Sequence, residues 1–187
     1  MKHRSKTVYI AFLRGINVGG KNKVAMQELK TAFGKAGLDD VCTYINSGNV
    51  VFTSNWDETH VQKVCEESIE KQFGFHISVC ILTAEELIDV LAHVPVWWAT
   101  QPDIRYNAIM VIPPATPEDI FAEMGAIKPE YEKIANHGKV IFWSAPMETF
   151  SKTRYSSISK QATYLKVTIR NYTTLNKLNM IAQALAN

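Results

Sequence analysis

Apolar residues along this chain follow two alternating spacings, the period of two that suits strands and the period near 3.6 that suits helices. Thr7-Val8-Tyr9-Ile10-Ala11-Phe12-Leu13 is rich in β-branched and aromatic side chains and predicts a strand. Met26, Leu29, Phe33 and Ala36 then recur at helical intervals, with Gly37 as a stop signal. Residues 41–54, VCTYINSGNVVFTS, predict two strands joined by a tight turn at Ser47-Gly48. Val61, Val64, Cys65, Ile69 and Phe73 mark a second amphipathic helix closed by Gly74, and residues 76–83, HISVCILT, predict another strand. The resulting order, β-α-β-β-α-β, is the ferredoxin-like split arrangement.

Glu85 to His93 predicts a short additional helix. Residues 94–103, VPVWWATQPD, then break the periodicity and place a boundary. The expected organisation is an N-terminal ferredoxin-like α+β subdomain over 1–94 and a C-terminal α+β subdomain over 95–187, packed together as one compact unit. In the second half a strand is predicted over 105–113, then a helix over 116–124 with Thr116 as its cap and Pro117 at its first position. A hairpin around Asn136-His137-Gly138 and a strand over 165–171 follow. The closing helix carries Leu175, Leu178, Ile181, Ala182 and Leu185 on one face. The halves share an order of elements but no sequence repeat.

At 187 residues, 47% apolar and 20% charged, the chain has the balance of a soluble protein able to build a core. No run of about eighteen apolar residues predicts a membrane span. The apolar stretch behind the basic start MKHRSK is too short for a signal peptide. Cys42, Cys65 and Cys80 form an odd set without CxxC spacing, supporting neither a disulfide framework nor a zinc site, so a cytoplasmic location is expected. The net charge of +2 conceals a segregation. Residues 1–30 hold seven Lys/Arg against one acid, and residues 149–187 hold six Lys/Arg and none. Two basic ends that met in space would form a surface attractive to anions; basic termini that are merely solvated would not.

Candidate chemistry centres on LRGINVGGKNK, residues 13–23. Gly15, Gly20 and Lys21 satisfy the spacing of a phosphate-binding P-loop and follow a strand. Asn22 stands where that motif needs a hydroxyl for Mg²⁺, and no strand supplies a second magnesium contact, so a nucleotide-hydrolysing P-loop is not expected. A weaker anion nest of Gly15, Gly19, Gly20 and Lys21 is one reading, and a loop whose glycines only permit positive φ is the other. The segment SKTRYSSISK, residues 151–160, is rich in donors and free of acids, suited to phosphate or carboxylate or to a mobile hydrophilic loop. Two SxxK matches, Ser157/Lys160 and Ser68/Lys71, lack the order and partners of serine acyl-enzymes. His3, His60, His76, His93 and His137 show no metal-ligand spacing and are assigned to surface or packing roles. The strand SGNVVF has Asn49 and Val51 where an RNA-binding sheet would want stacking rings.

The motifs LRGINVGGKNKVAMQEL and TYINSGNVVFTS, the Trp97-Trp98 pair and SKTRYSS…LKVTIRNYTTLNKL resemble the bacterial Domain of Unknown Function 1697 family across nearly the whole chain. The resemblance implies an α+β protein of two subdomains related to the ferredoxin-like arrangement. It implies no activity and no catalytic residue.

The expected ligand is a phosphate-containing small molecule or nucleotide in a basic cleft. Arg14, Asn17, Gly19, Gly20, Lys21 and Lys23 would form one wall, with Lys152, Arg154 and Tyr155 facing them. Asn46, Ser47 and Asn49 would offer hydrogen bonds, and Arg170 and Asn171 a helix N-terminus. The alternatives are a nucleic-acid-binding module using the same basic ends, and a protein-interaction or homodimer module that buries Trp97 and Trp98. No metal, cofactor or membrane partner is expected, and whether the protein is an enzyme stays open.

Overall fold

The computed structural model describes residues 6–186, without the side chains of Ser159 and Lys160. The basic residues Lys2 and Arg4, and His3 between them, lie outside the described residues. Two compact units divide the chain: Met1–Ile88 with Asn176–Asn187, and Asp89–Leu175.

The first unit follows the predicted order. It runs β1 (Thr7–Leu13), α1 (Met26–Lys35), β2 (Asp39–Tyr44), β3 (Asn49–Ser54), α2 (Glu58–Phe73) and β4 (Val79–Thr83). The strands pair antiparallel in the order β2-β3-β1-β4, the ferredoxin-like sheet. Residues two apart share a face, so Tyr9, Ala11 and Leu13 join Val50, Phe52, Val79 and Ile81 in one cluster. Leu29 and Phe33 of α1, with Val61, Cys65 and Ile69 of α2, complete it. The opposite face of the sheet is also buried, at Val8, Ile10, Phe12, Val51, Cys80 and Leu82. That explains why these strands read as continuous apolar runs rather than as alternation. Asp57 caps α2 through His60 N, and Gly74 closes it in the left-handed region at φ 78°.

A second set of elements repeats this plan. The helix α3 (Ala84–Ala92) begins with a reciprocal cap: Glu86 N donates to Thr83 Oγ1, and Thr83 N donates to the Glu86 carboxylate. Then come β5 (Ile104–Val111), α4 (Pro117–Met124), β6 (Lys133–His137), β7 (Val140–Pro146) and β8 (Val167–Asn171), before α5 (Tyr172–Ala186). Their sheet order, β6-β7-β5-β8, matches that of the first unit strand for strand. The chain is therefore α+β with two ferredoxin-like halves. The predicted helix over 116–124 forms with a capping box between Thr116 and Asp119. Where the first unit has α2, the second has three consecutive 3-10 turns, Met147–Lys152, Tyr155–Lys160 and Ala162–Lys166.

Two local expectations are refined. The strand predicted from His76 begins at Val79. The β2–β3 connection is a four-residue turn over 45–48 rather than a tight dipeptide turn, with positive φ at Ile45 (48°) and Gly48 (77°). Gly48 is fixed by packing as well as by φ. A Cβ there would lie 2.7 Å from Leu13 Cβ and 2.8 Å from Ile16 Cδ1, and the Gly48 carbonyl already accepts from Leu13 N at 2.8 Å. Gly48→Ala is expected to lower stability by about 2 kcal/mol through clash and strained φ. Urea unfolding of the full chain checks this, and an unchanged midpoint would show that the turn is not held as described.

Candidate functional site

The loop after β1 is a small hairpin. Asn17 N donates to Asn22 O and Lys21 N to Val18 O, both at 3.1 Å, with Gly19 (φ 58°) and Gly20 (φ 76°) at the turn. Positive φ at both central positions is the type I′ geometry that favours Gly-Gly. Lys21 therefore stands five residues before the first residue of α1, and its N–H is already used within the hairpin. A P-loop lysine instead sits where the loop enters its helix.

The Asn17 side chain ties the hairpin down. Its Nδ2 donates to Val24 O and Asn46 O, each at 2.9 Å, and its Oδ1 accepts from Val24 N at 2.9 Å. Asn22 Nδ2 donates to Gly15 O at 3.1 Å. Asn49, fully buried, donates to Tyr44 O at 3.2 Å and to Ser47 Oγ at 2.9 Å. Among the predicted site residues, Asn17, Ser47 and Asn49 thus build the loops, whereas Lys21 and Lys23 are exposed. An open groove of about 680 Å³ runs beside them, lined by Asn17, Gly20, Lys23, Val24, Ala25, Met26, Glu28, Asn46 and Phe73. At its floor α1 begins on Ala25, which gives no side-chain capping bond.

The remaining predicted residues belong to the second unit. Glu132, 2% exposed, accepts four hydrogen bonds. Oε1 takes Lys128 N at 3.0 Å and Arg154 N at 2.8 Å; Oε2 takes Trp143 Nε1 at 2.8 Å and Tyr155 N at 3.2 Å. Tyr155 packs in the hydrophobic cluster with Trp143, Ile109 and Val167. Burial, and next the Glu132 charge, push its hydroxyl well above the ordinary tyrosine value, so it remains protonated. The Arg154 and Lys152 side chains are exposed; Lys152 Nζ lies 5.4 Å above the Tyr131 ring. Arg170 is buried and donates to Thr168 Oγ1 and Ile169 O. Asn171 Oδ1 accepts from Thr174 N, so the start of α5 is capped from within. Trp98 is buried edge-on against Tyr106 and Phe142, while Trp97 lines a 260 Å³ cavity with Tyr106, Tyr131, Glu132 and Ser144.

One grouping escaped the sequence reading. Asp89 and His93 stand four apart near the end of α3, and His137 closes β6. Asp89 Oδ2 lies 2.5 Å from His137 Nε2, and Asp89 Oδ1 lies 3.1 Å from His93 Nδ1. The two imidazoles stack with centroids 4.1 Å apart and planes 8° from parallel. The hydrogen bond from His137, then the nearby histidine charges, hold the Asp89 carboxyl below the usual carboxylate range despite an opposing desolvation. The Asp-x-x-x-His interval was the available signal. His137 is 48 residues from Asp89, and only the fold brings it there.

Two ferredoxin-like halves in one chain define the structural class. The family model described as "Protein of unknown function (DUF1697)" matches residues 6–142, and the chain belongs to that family. A conserved bacterial protein from Streptococcus pneumoniae has a similar structure, with 31% sequence identity over 95% of this chain and 99% of that one and a TM-score of 0.86. A protein of unknown function from Galdieria sulphuraria aligns at 13% identity over 88% of this chain and 96% of that one, with a TM-score of 0.27, too low to inform the fold. Among curated proteins none matches the chain. Among the described residues, no helix is long and apolar enough to cross a membrane.

Glu132→Gln keeps the side-chain shape but replaces one acceptor oxygen with an NH₂ facing N–H donors. Its expected cost is about 3 kcal/mol, as for loss of hydrogen bonds to a buried charge. Urea unfolding followed by tryptophan fluorescence measures it, and wild-type stability would remove Glu132 from its organising role.

Proposed function

We propose that the first unit binds a small phosphate-containing anion, a nucleotide or sugar phosphate, in the groove between the Gly19-Gly20 hairpin and the start of α1. The observation that carries this reading is the uncapped start of α1 opening into a groove that also holds Lys23. The first N–H groups of a helix have no partner within it, and the helix dipole adds partial positive charge, so an anion completes what a capping side chain otherwise would. The other helix starts described above are closed by Asp57, Thr83, Thr116 or Asn171. An alanine at this position forgoes about 0.5–2 kcal/mol relative to Ser, Asp or Asn. The groove's volume falls in the range of small-ligand sites.

Lys21, at the end of the hairpin turn, adds a second exposed cation beside Lys23. Glu28 also lines the groove, so its charge directs an anion toward the lysine side. Lys152 and Arg154 belong to the other unit, and the reading does not depend on them.

Thermal shifts with inorganic phosphate, mononucleotides, sugar phosphates and short RNA test the reading on wild type, Lys23→Ala and Ala25→Asp. A ligand at about 100 times its Kd stabilises by about 2.7 kcal/mol, enough for a clear shift. Ala25→Asp, which caps α1 with its own carboxylate, is expected to melt higher without ligand and to respond no longer; Lys23→Ala is expected to weaken the response. No shift in the wild type overturns the proposal. Equal shifts for every polyanion, erased by salt, would assign the surface to nucleic acid instead.

A further inference from the structure

We infer that Asp89, His93 and His137 form a binding site for a divalent transition cation of the Zn²⁺ type, independent of the groove described above. One donor atom from each of the three residues lies within 4.8 Å of the other two. Zn²⁺ takes imidazole nitrogen and carboxylate oxygen at about 2.0–2.2 Å, so two donors on one tetrahedral ion stand about 3.4 Å apart. The Asp89 oxygens stand 3.1 Å from His93 Nδ1 and 2.5 Å from His137 Nε2, and small outward movements of side chains that are 31–58% exposed open these pairs to that separation.

The backbone supplies the placement. His93 directly follows α3 and its N–H still donates to Asp89 O at 3.2 Å, so the four-residue spacing keeps the two side chains on one side. His137 is the last residue of β6, held in register opposite Val140 and followed by the Gly138 turn.

The chemistry favours a cation over a purely internal network. Two imidazoles stacked at 4.1 Å converge on one carboxylate, and a divalent ion engages all three groups at once. Imidazole with a single carboxylate suits Zn²⁺ and its Co²⁺ analogue better than Mg²⁺ or Ca²⁺, which prefer all-oxygen sets. Three protein donors leave a coordination position for water or an external ligand, unlike a closed four-ligand structural site.

The test uses the untagged full chain, freed of metal by a chelator and held at mildly alkaline pH. Co²⁺ is titrated while its ligand-field absorption is recorded, and Zn²⁺ is then added in competition. The expected result is one Co²⁺ per chain, displaced by Zn²⁺. His137→Gln, His93→Gln and Asp89→Asn should each weaken binding by at least the ~10–100-fold that supporting residues alone contribute, whereas His60→Gln and His76→Gln should not. Circular dichroism in chelator confirms that each variant is folded, and any folded variant of the three suffices for the comparison. Absence of Co²⁺ uptake by wild type overturns the inference, as does binding that survives loss of a ligand residue in a folded variant.

Discussion

The second unit depends on one buried carboxylate. Glu132 sits between the end of α4 and the start of β6 and bonds to the backbone N–H groups of Lys128, Arg154 and Tyr155 and to the Trp143 indole. Residues 147–166 replace a regular second helix with short 3-10 turns, whose geometry leaves backbone donors without an internal ladder. A buried donor left alone costs about 1–3 kcal/mol, and Glu132 answers two of them at the junction of the first two turns. The same carboxylate fixes the Trp143 ring in the core cluster. Irregular chain and regular sheet are thereby coupled through one side chain.

The first unit meets the same requirement differently. Its second crossover is a sixteen-residue helix that satisfies its own backbone, capped by Asp57 and closed by Gly74. Its longest irregular stretch among the described residues lies between β1 and α1, where Asn17 performs on a smaller scale what Glu132 does in the other unit. A neutral amide suffices because the hairpin is exposed and small, and Asn17 N and Lys21 N bond within it. The result is a hairpin with Lys21 and Lys23 exposed at its edge.

These differences explain what the sequence disclosed. The strands and helices were legible because apolar period and punctuation agree at Gly37, Gly74 and Thr116, each of which stands at an element's end. The start of β4 and the span of the β2–β3 turn were less so, since neither Phe75-His76 nor Ile45-Asn46 carries a signal that marks a boundary. In the donor-rich segment 151–160, side-chain composition did not disclose that the backbone N–H groups of Arg154 and Tyr155 bond Glu132. Tyr155 and Arg170 shared that ambiguity: both are polar in sequence and buried in the fold. Lys21 and Lys23 are exposed.

The Asp89, His93 and His137 grouping shows the limit from the other side. Half of it is local, a four-residue helical interval, and local intervals are common enough to carry little information. The other half depends on the register of β6 against β7, which fixes where His137 stands beside the Gly138-Lys139 turn. That register pairs Ile134 with Trp143 and His137 with Val140, and burial of the apolar run Val140–Trp143 holds β7 in place. Packing of one set of side chains thus positions the chemistry of another. A motif search confined to donor residues has no access to that information, whereas the fold supplies it as a by-product of burying the sheet.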